Sequence, residues 1–96
     1  MTHTVMTERV RAVVHGRVQA VGFRAFVYDR ARFHGLHGWV RNRPDGTVEC
    51  LAEGRRTDID AFLADLREGP PSARVKDVET IFEAARGDLE TFDVRF

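Results

Sequence analysis

The 96-residue chain carries a single cysteine, Cys50. One thiol makes no internal disulfide, and no Cys/His group has the spacing of a zinc site, so neither crosslinks nor structural zinc hold this fold together. A reducing compartment fits this usage, and the cytoplasm is the expected location. Long hydrophobic runs are missing too: the longest, Ala25 to Tyr28 and Ala61 to Ala64, are four residues, against the ~20 of a membrane span or the ~7–15 of a signal-peptide core. Neither a membrane segment nor a leader is expected. Lysine is almost absent, with Lys76 alone among 15 basic residues; a GC-rich genome explains this as readily as function does. Net charge is zero, from 15 basic and 15 acidic residues.

What is present is a foldable composition, 43% hydrophobic and 31% charged, in a length that fits one domain with one two-layer core. Residues 1–7 show no periodicity and read as a flexible tail, with Met6 a conceivable second start. Residues 8–96 read as a single domain without repeat, linker or low-complexity segment. The neutral total hides two unequal halves: residues 1–43 hold eight arginines against Glu8 and Asp29, whereas residues 44–96 hold seven basic and thirteen acidic residues. Such asymmetry marks an anion-handling surface in some proteins, although folding also mixes the halves in space.

Hydrophobic periodicity lays out the elements. Glu8 to His15, rich in β-branched Val10, Val13 and Val14, reads as a first strand ending at Gly16. Phe23, Phe26, Val27 and Ala31 recur at helical steps, with the helix closing near Gly35. Leu36–Asn42 and Thr47–Glu53 flank Arg43-Pro44-Asp45-Gly46, a hairpin signal. Thr57 or Asp58 is placed to cap a second helix with the apolar stripe Ile59, Phe62, Leu63 and Leu66, stopped by Gly69-Pro70-Pro71. Val75, Val78 and Ile81 mark a fourth strand whose three-residue spacing predicts a local irregularity. Phe92, Val94 and Phe96 alternate as a short fifth strand. The order β-α-β-β-α-β is the split βαβ, ferredoxin-like pattern of the α+β class: two helices on one face of a mostly antiparallel sheet, with a short C-terminal fifth strand.

Between the first strand and helix lies Gly16-Arg17-Val18-Gln19-Ala20-Val21-Gly22, followed by Phe23-Arg24. A loop turning tightly into a helix N-terminus aims unpaired N–H groups at one spot where the helix dipole favours an anion. Arg24 adds a fork of donors matched to phosphate or carboxylate. It is neither a Walker A loop nor a Gly-x-Gly-x-x-Gly fingerprint. Spacing alone leaves open whether the glycines do more than permit turns.

The segment His15-Gly-Arg-Val-Gln-Ala-Val-Gly-Phe-Arg24 closely resembles the acylphosphatase signature Gly-x-Val-Gln-Gly-Val-Gly-Phe-Arg. Gly38-Trp-Val-Arg-Asn-Arg-Pro-Asp-Gly-Thr-Val-Glu49 is similar to the second signature of that family, Gly-x-Val-x-Asn-x-x-Asp-Gly-x-Val. The resemblance spans roughly residues 8–96 and implies the same split βαβ fold. It further implies metal-independent, cofactor-free hydrolysis of the carboxyl–phosphate bond of small acyl phosphates to carboxylate and inorganic phosphate. Arg24 would bind the phosphoryl group and stabilise its transition-state charge, and Asn42 would position the attacking water. The backbone of Arg17, Val18, Gln19, Ala20, Val21 and Gly22 would cradle the phosphoryl oxygens. Ala20 stands where the family usually has Gly. If that position needs φ > 0, Ala costs on the order of 1 kcal/mol there and displaces an amide donor.

Other residues read as structural. Asn42, by spacing alone, is a turn residue near Pro44; His15 ends a strand; His34 and His37 lack a third metal ligand; Cys50 is a small core hydrophobe. Asp58, Asp60, Asp65 and Glu68 read as a solvated face with carboxylates at a helix start. Two other classes stay open: a non-catalytic acylphosphatase-like phosphate-binding or regulatory module, and an RNA-binding βαββαβ domain. The second lacks stacking aromatics on its third strand, which carries two acids instead. The expected protein is therefore a monomer acting on small acyl phosphates, with no nucleic-acid or membrane partner. Arg24, Arg17, Arg41 and Arg43 are expected to surround one phosphate site.

Overall fold

A computed structural model describes residues 7–96. Strand β1 (Thr7–Arg17) leads to helix α1 (Phe23–Phe33), strands β2 (His37–Asn42) and β3 (Val48–Arg55), helix α2 (Arg56–Glu68), and strands β4 (Arg74–Ala84) and β5 (Phe92–Arg95). The strands form one sheet in the order β4-β1-β3-β2-β5. Its pairs are antiparallel except β2–β5, which is parallel. Of the expected tail, residues 1–6 lie outside the described residues; Thr7 already pairs with Arg55 in β1.

The period-2 alternation of the strands decides which face is buried. Val10, Ala12 and Val14 of β1, Val40 of β2, and Val48, Cys50 and Ala52 of β3 form a core with Phe23, Val27 and Ala31 of α1 and Ile59, Phe62, Leu63 and Leu66 of α2. Both helices thus cover one face, as their apolar stripes require. Two expectations need correction. Neither Thr57 nor Asp58 caps α2: β3 runs straight into the helix, Arg55 is the N-cap without a side-chain bond, and Asp58 acts only as a carboxylate in the first turn. Phe96 follows β5 rather than belonging to it.

The irregularity expected near Val75 is a bulge. His15 pairs with Asp77 and Gly16 with Val75, which leaves Lys76 without a partner and returns Val78 to the inner face beside Val75. Gly16 is obligatory at this crossing: its φ is +129°, and a Cβ there would lie 2.0 Å from the Arg74 carbonyl oxygen. The close approach lets β1 continue past the bulge to Arg17, delivering the chain to the loop ahead of α1.

On the opposite sheet face, acidic side chains of the central strand are each held by arginines. Glu49 accepts from Arg11 and Arg41. Glu53 accepts from Arg9 and from the backbone N–H groups of Arg86 and Gly87, in the segment that leads from β4 towards β5. Asp65 is not solvated as expected: its Oδ2 accepts from Arg30 Nε at 2.9 Å and sits 2.8 Å from His34 Nε2, bracing α2 against the end of α1. His37 is occupied elsewhere, with Nδ1 2.9 Å from the Leu89 carbonyl oxygen.

Candidate active site

The loop of residues 18–22 is shaped by what its side chains bury. Val18 is 1% exposed in the core, Val21 packs against that core, and the Val21 carbonyl accepts from Ser72 Oγ at 2.8 Å. With the two valines anchored, the backbone must turn between them. Ala20 has φ +59° and Gly22 φ +77°, and the residues beside them have negative φ. Such alternation turns successive N–H groups towards one side and makes an anion-accepting concavity. The conditional expectation for Ala20 is therefore met: it is the sole non-glycine with positive φ among the described residues.

Helix α1 begins without the usual devices that consume its N–H groups. Its N-cap is Gly22, no side chain caps it, and its first turn has no acidic residue. The N-terminal N–H groups and the positive dipole end are thus free to act on an anion. Arg24 stands in that first turn. Its Nη1 donates to the Arg95 carbonyl oxygen at 3.0 Å, and its guanidinium carbon lies 4.7 Å from the centre of the Phe96 ring.

A cavity of about 270 Å3 opens there, lined by Val18, Ala20, Gly22, Phe23, Arg24, Ala25, Asn42, Val94 and Phe96. Asn42 enters from the last position of β2, paired with Val48. Its Oδ1 is buried and makes no hydrogen bond with the described residues. A carbonyl oxygen left unpaired among buried groups is costly, and is able to accept from a small donor such as water. Amide donors, a guanidinium and a free acceptor therefore share one concave surface, the equipment needed to hold a tetrahedral anion and direct a water towards it.

The structure brings together Arg24, Asn42, Val18, Ala20 and Gly22, but not every residue expected at the site. The Arg17 side chain does not line the cavity, and Arg17 ends β1 opposite Arg74; the side chains of Val21 and Gln19 go to the core and to the β2–β3 turn, which leaves these two only their backbone to offer the site. Arg41 lies on the other sheet face, bound to Glu49 and 5.1 Å from the centre of Trp39. Arg43 pairs with Asp45 at 3.8 Å. The sequence reading missed the contribution of β5, whose Val94 and the following Phe96 reach the cavity through the parallel pairing with β2. Their alternation with Asp93 and Arg95 was the available signal. Cys50 is buried, and burial pushes its thiol up to about 12, so it offers no nucleophile.

Comparison with known proteins agrees with this geometry. The acylphosphatase family model matches residues 10–94. The chain is 48% identical over 88 residues to an acylphosphatase of Syntrophotalea carbinolica, covering 92% of this chain and 96% of that protein. It is 48% identical over 93 residues to one of Anaeromyxobacter dehalogenans, covering 95% and 100%. The crystal structure of the acylphosphatase from Bacillus subtilis matches with a TM-score of 0.90 at 37% identity, covering 95% of this chain and all of that one. With the family model spanning nearly the whole chain and the fold matched over the same length, the chain belongs to the acylphosphatase family.

Proposed function

We propose that this chain hydrolyses small acyl phosphates by attack of water on phosphorus, acting as a metal-independent enzyme over residues 8–96. The loop amides of residues 17–22 and the N-terminus of α1 hold the phosphoryl oxygens, and Arg24 neutralises the charge that grows on them. The Asn42 Oδ1 accepts a hydrogen bond from the water and so points its lone pair at phosphorus. The bond from water oxygen to phosphorus forms as the bond to the acyl oxygen breaks. The acyl group leaves as a carboxylate and the proton of the water passes to the phosphate product or solvent. A carboxylate is a good leaving group and needs little general acid, so orientation and charge stabilisation carry the reaction.

The observation that carries this reading is the unpartnered Asn42 Oδ1 in the same cavity as Arg24 and the uncapped start of α1. The reading extends to a monomer in the cytoplasm; among the described residues no helix is long and apolar enough to cross a membrane. Small-molecule chemistry is favoured over RNA because Trp39, the aromatic on the free sheet face, is only 8% exposed and is flanked by the guanidiniums of Arg11, Arg41 and Arg95 at 5.9, 5.1 and 4.9 Å. The test is hydrolysis of acetyl and benzoyl phosphate by purified protein in the presence of a chelator. Turnover there, with phosphate binding abolished in Arg24→Ala, supports the reading; an inert wild-type protein overturns it in favour of a binding module.

A further inference from the structure

Gln19 sits inside the loop yet its side chain leaves the cavity. Its Nε2 lies 2.7 Å from the carbonyl oxygen of Arg43 and 2.9 Å from that of Thr47. These two carbonyls form the neck of the β2–β3 turn. The Thr47 oxygen already accepts from Arg43 N–H at 2.9 Å, and the Arg43 oxygen from Gly46 N–H at 3.1 Å. The Gln19 amide thus takes a second lone pair on each, spending both of its N–H donors on one neck.

We propose that Gln19 is a positioning residue for the water-directing Asn42, a clamp that sets the turn following Asn42 against the loop that holds the phosphoryl group. The inference rests on the acylphosphatase reading above. The β2–β3 register ends at Asn42 and Val48, with the Arg43 N–H to Thr47 carbonyl bond closing the neck just beyond it, and β1 follows β3 only to Val48. Beyond that point, where the turn projects towards the loop, Gln19 is the side chain that joins the two. The loop itself has other anchors: Val18 in the core and Ser72 on the Val21 carbonyl. Loss of the clamp therefore moves Asn42 relative to phosphorus more than it disturbs the amides that bind phosphate. Water misplaced by a fraction of an ångström to an ångström still reacts, only more slowly.

Gln19→Glu and Gln19→Ala test this in the full chain, with benzoyl phosphate as substrate and inorganic phosphate as competing ligand. In Gln19→Glu the ionised carboxylate has no donor and faces two carbonyls; when protonated it regains one donor. The charged groups of the turn that Gln19 reaches are Arg43 and Asp45, which pair with one another; Asp45 also feels His15 of β1, whose Nε2 lies 2.7 Å from Glu79 of β4. The expected result near neutral pH is a kcat lowered about 10- to 100-fold in both variants, with the inhibition constant for phosphate within about threefold of wild type and the native melting transition retained. Relative to wild type at the same pH, Gln19→Glu recovers as pH falls towards the carboxyl range, about 4–5, and Gln19→Ala does not. A kcat within about twofold of wild type in both variants overturns the clamp, as does parallel loss of kcat and phosphate affinity, or a Gln19→Glu profile that follows that of Gln19→Ala. Wild-type turnover, measured alongside, separates failure of the clamp from failure of the acylphosphatase reading.

Discussion

Arg24 and Arg95 are tied by a hydrogen bond from the guanidinium of the first to the backbone carbonyl of the second, 3.0 Å across 71 positions of sequence. The guanidinium at the cavity is thus oriented by β5, an edge strand whose parallel pairing with β2 also brings Phe96 to the cavity. The Phe96 ring adds a cation–π contact at 4.7 Å. Because the guanidinium is held before substrate arrives, binding costs less side-chain entropy than it does for a freely rotating arginine.

Removal of that aromatic contact loosens Arg24 without deleting it. Phe96→Ala is expected to raise the inhibition constant for inorganic phosphate about 2- to 5-fold, the equivalent of an exposed cation–π contact, while the melting temperature stays near that of wild type. Competitive inhibition assays give the number directly, and unchanged inhibition would show that the Arg95 carbonyl alone orients the guanidinium.

Ala20 carries strain that glycine relieves. At φ +59° its Cβ crowds the neighbouring backbone, a conformation that costs an L-residue about 1–2 kcal/mol, offset in the variant by about 0.4–1 kcal/mol of greater unfolded-state freedom of glycine. Ala20→Gly is expected to add about 0.5–1 kcal/mol to the unfolding free energy, a rise of about 2–8 °C in melting temperature, with no loss of phosphate affinity. Thermal and urea unfolding measure it; a lower melting temperature contradicts a strained Ala20.

Acid sensitivity follows from the carboxylates of the central strand. Burial acts to raise the Glu53 carboxyl, but the bonds from Arg9, Gly87 and Arg86 outweigh it and hold the group below its ordinary 4.5. Glu49 is held down likewise, with Arg41 and Arg11 outweighing burial. A group whose folded-state value is depressed contributes stability above its unfolded value and loses it as pH falls through the folded one. Stability is therefore expected to decline as pH drops below about 4.5. Glu53→Gln should flatten this decline, while costing about 2 kcal/mol near neutral pH because Arg9 keeps only Asp88. Urea midpoints across the acid range decide it, and equal slopes in both proteins would remove Glu53 from the explanation.

Cys50 gives the opposite sign. Its thiol is raised by burial from 9.0 to about 12, so its contribution is complete below pH 9 and is lost as pH climbs from there. An aromatic disulfide reagent at mildly alkaline pH should leave the native thiol untouched and titrate it fully in denaturant. Rapid reaction of the folded protein would place Cys50 outside the core.

Local features were the legible ones. The uncapped entry to α1 and the Asp45-Gly46 turn are each written within a few adjacent residues, so reading them needed no knowledge of the fold, whereas the αL question at Ala20 was raised only by the glycine usual at that place in the acylphosphatase signature. Misplacement of Arg41 had a simple cause: strand neighbours alternate faces, so an Asn42 that faces the helices puts Arg41 on the far side, with Glu49. Charge counting along the chain ignored that alternation. Three other features depended on contacts between distant segments: the hold of Arg95 and Phe96 on Arg24, the reach of Gln19 to the turn, and the brace of Asp65 between the helices. No periodicity announces these, because each is made by a side chain whose own neighbours in sequence face elsewhere.

The division of labour between binding and turnover is tested most directly by the kinetics of Asn42→Ala with benzoyl phosphate, inorganic phosphate being the competing ligand. The account predicts kcat lowered about 100-fold or more with the phosphate inhibition constant kept within about threefold. Turnover close to wild type, or phosphate affinity lost together with turnover, would contradict it.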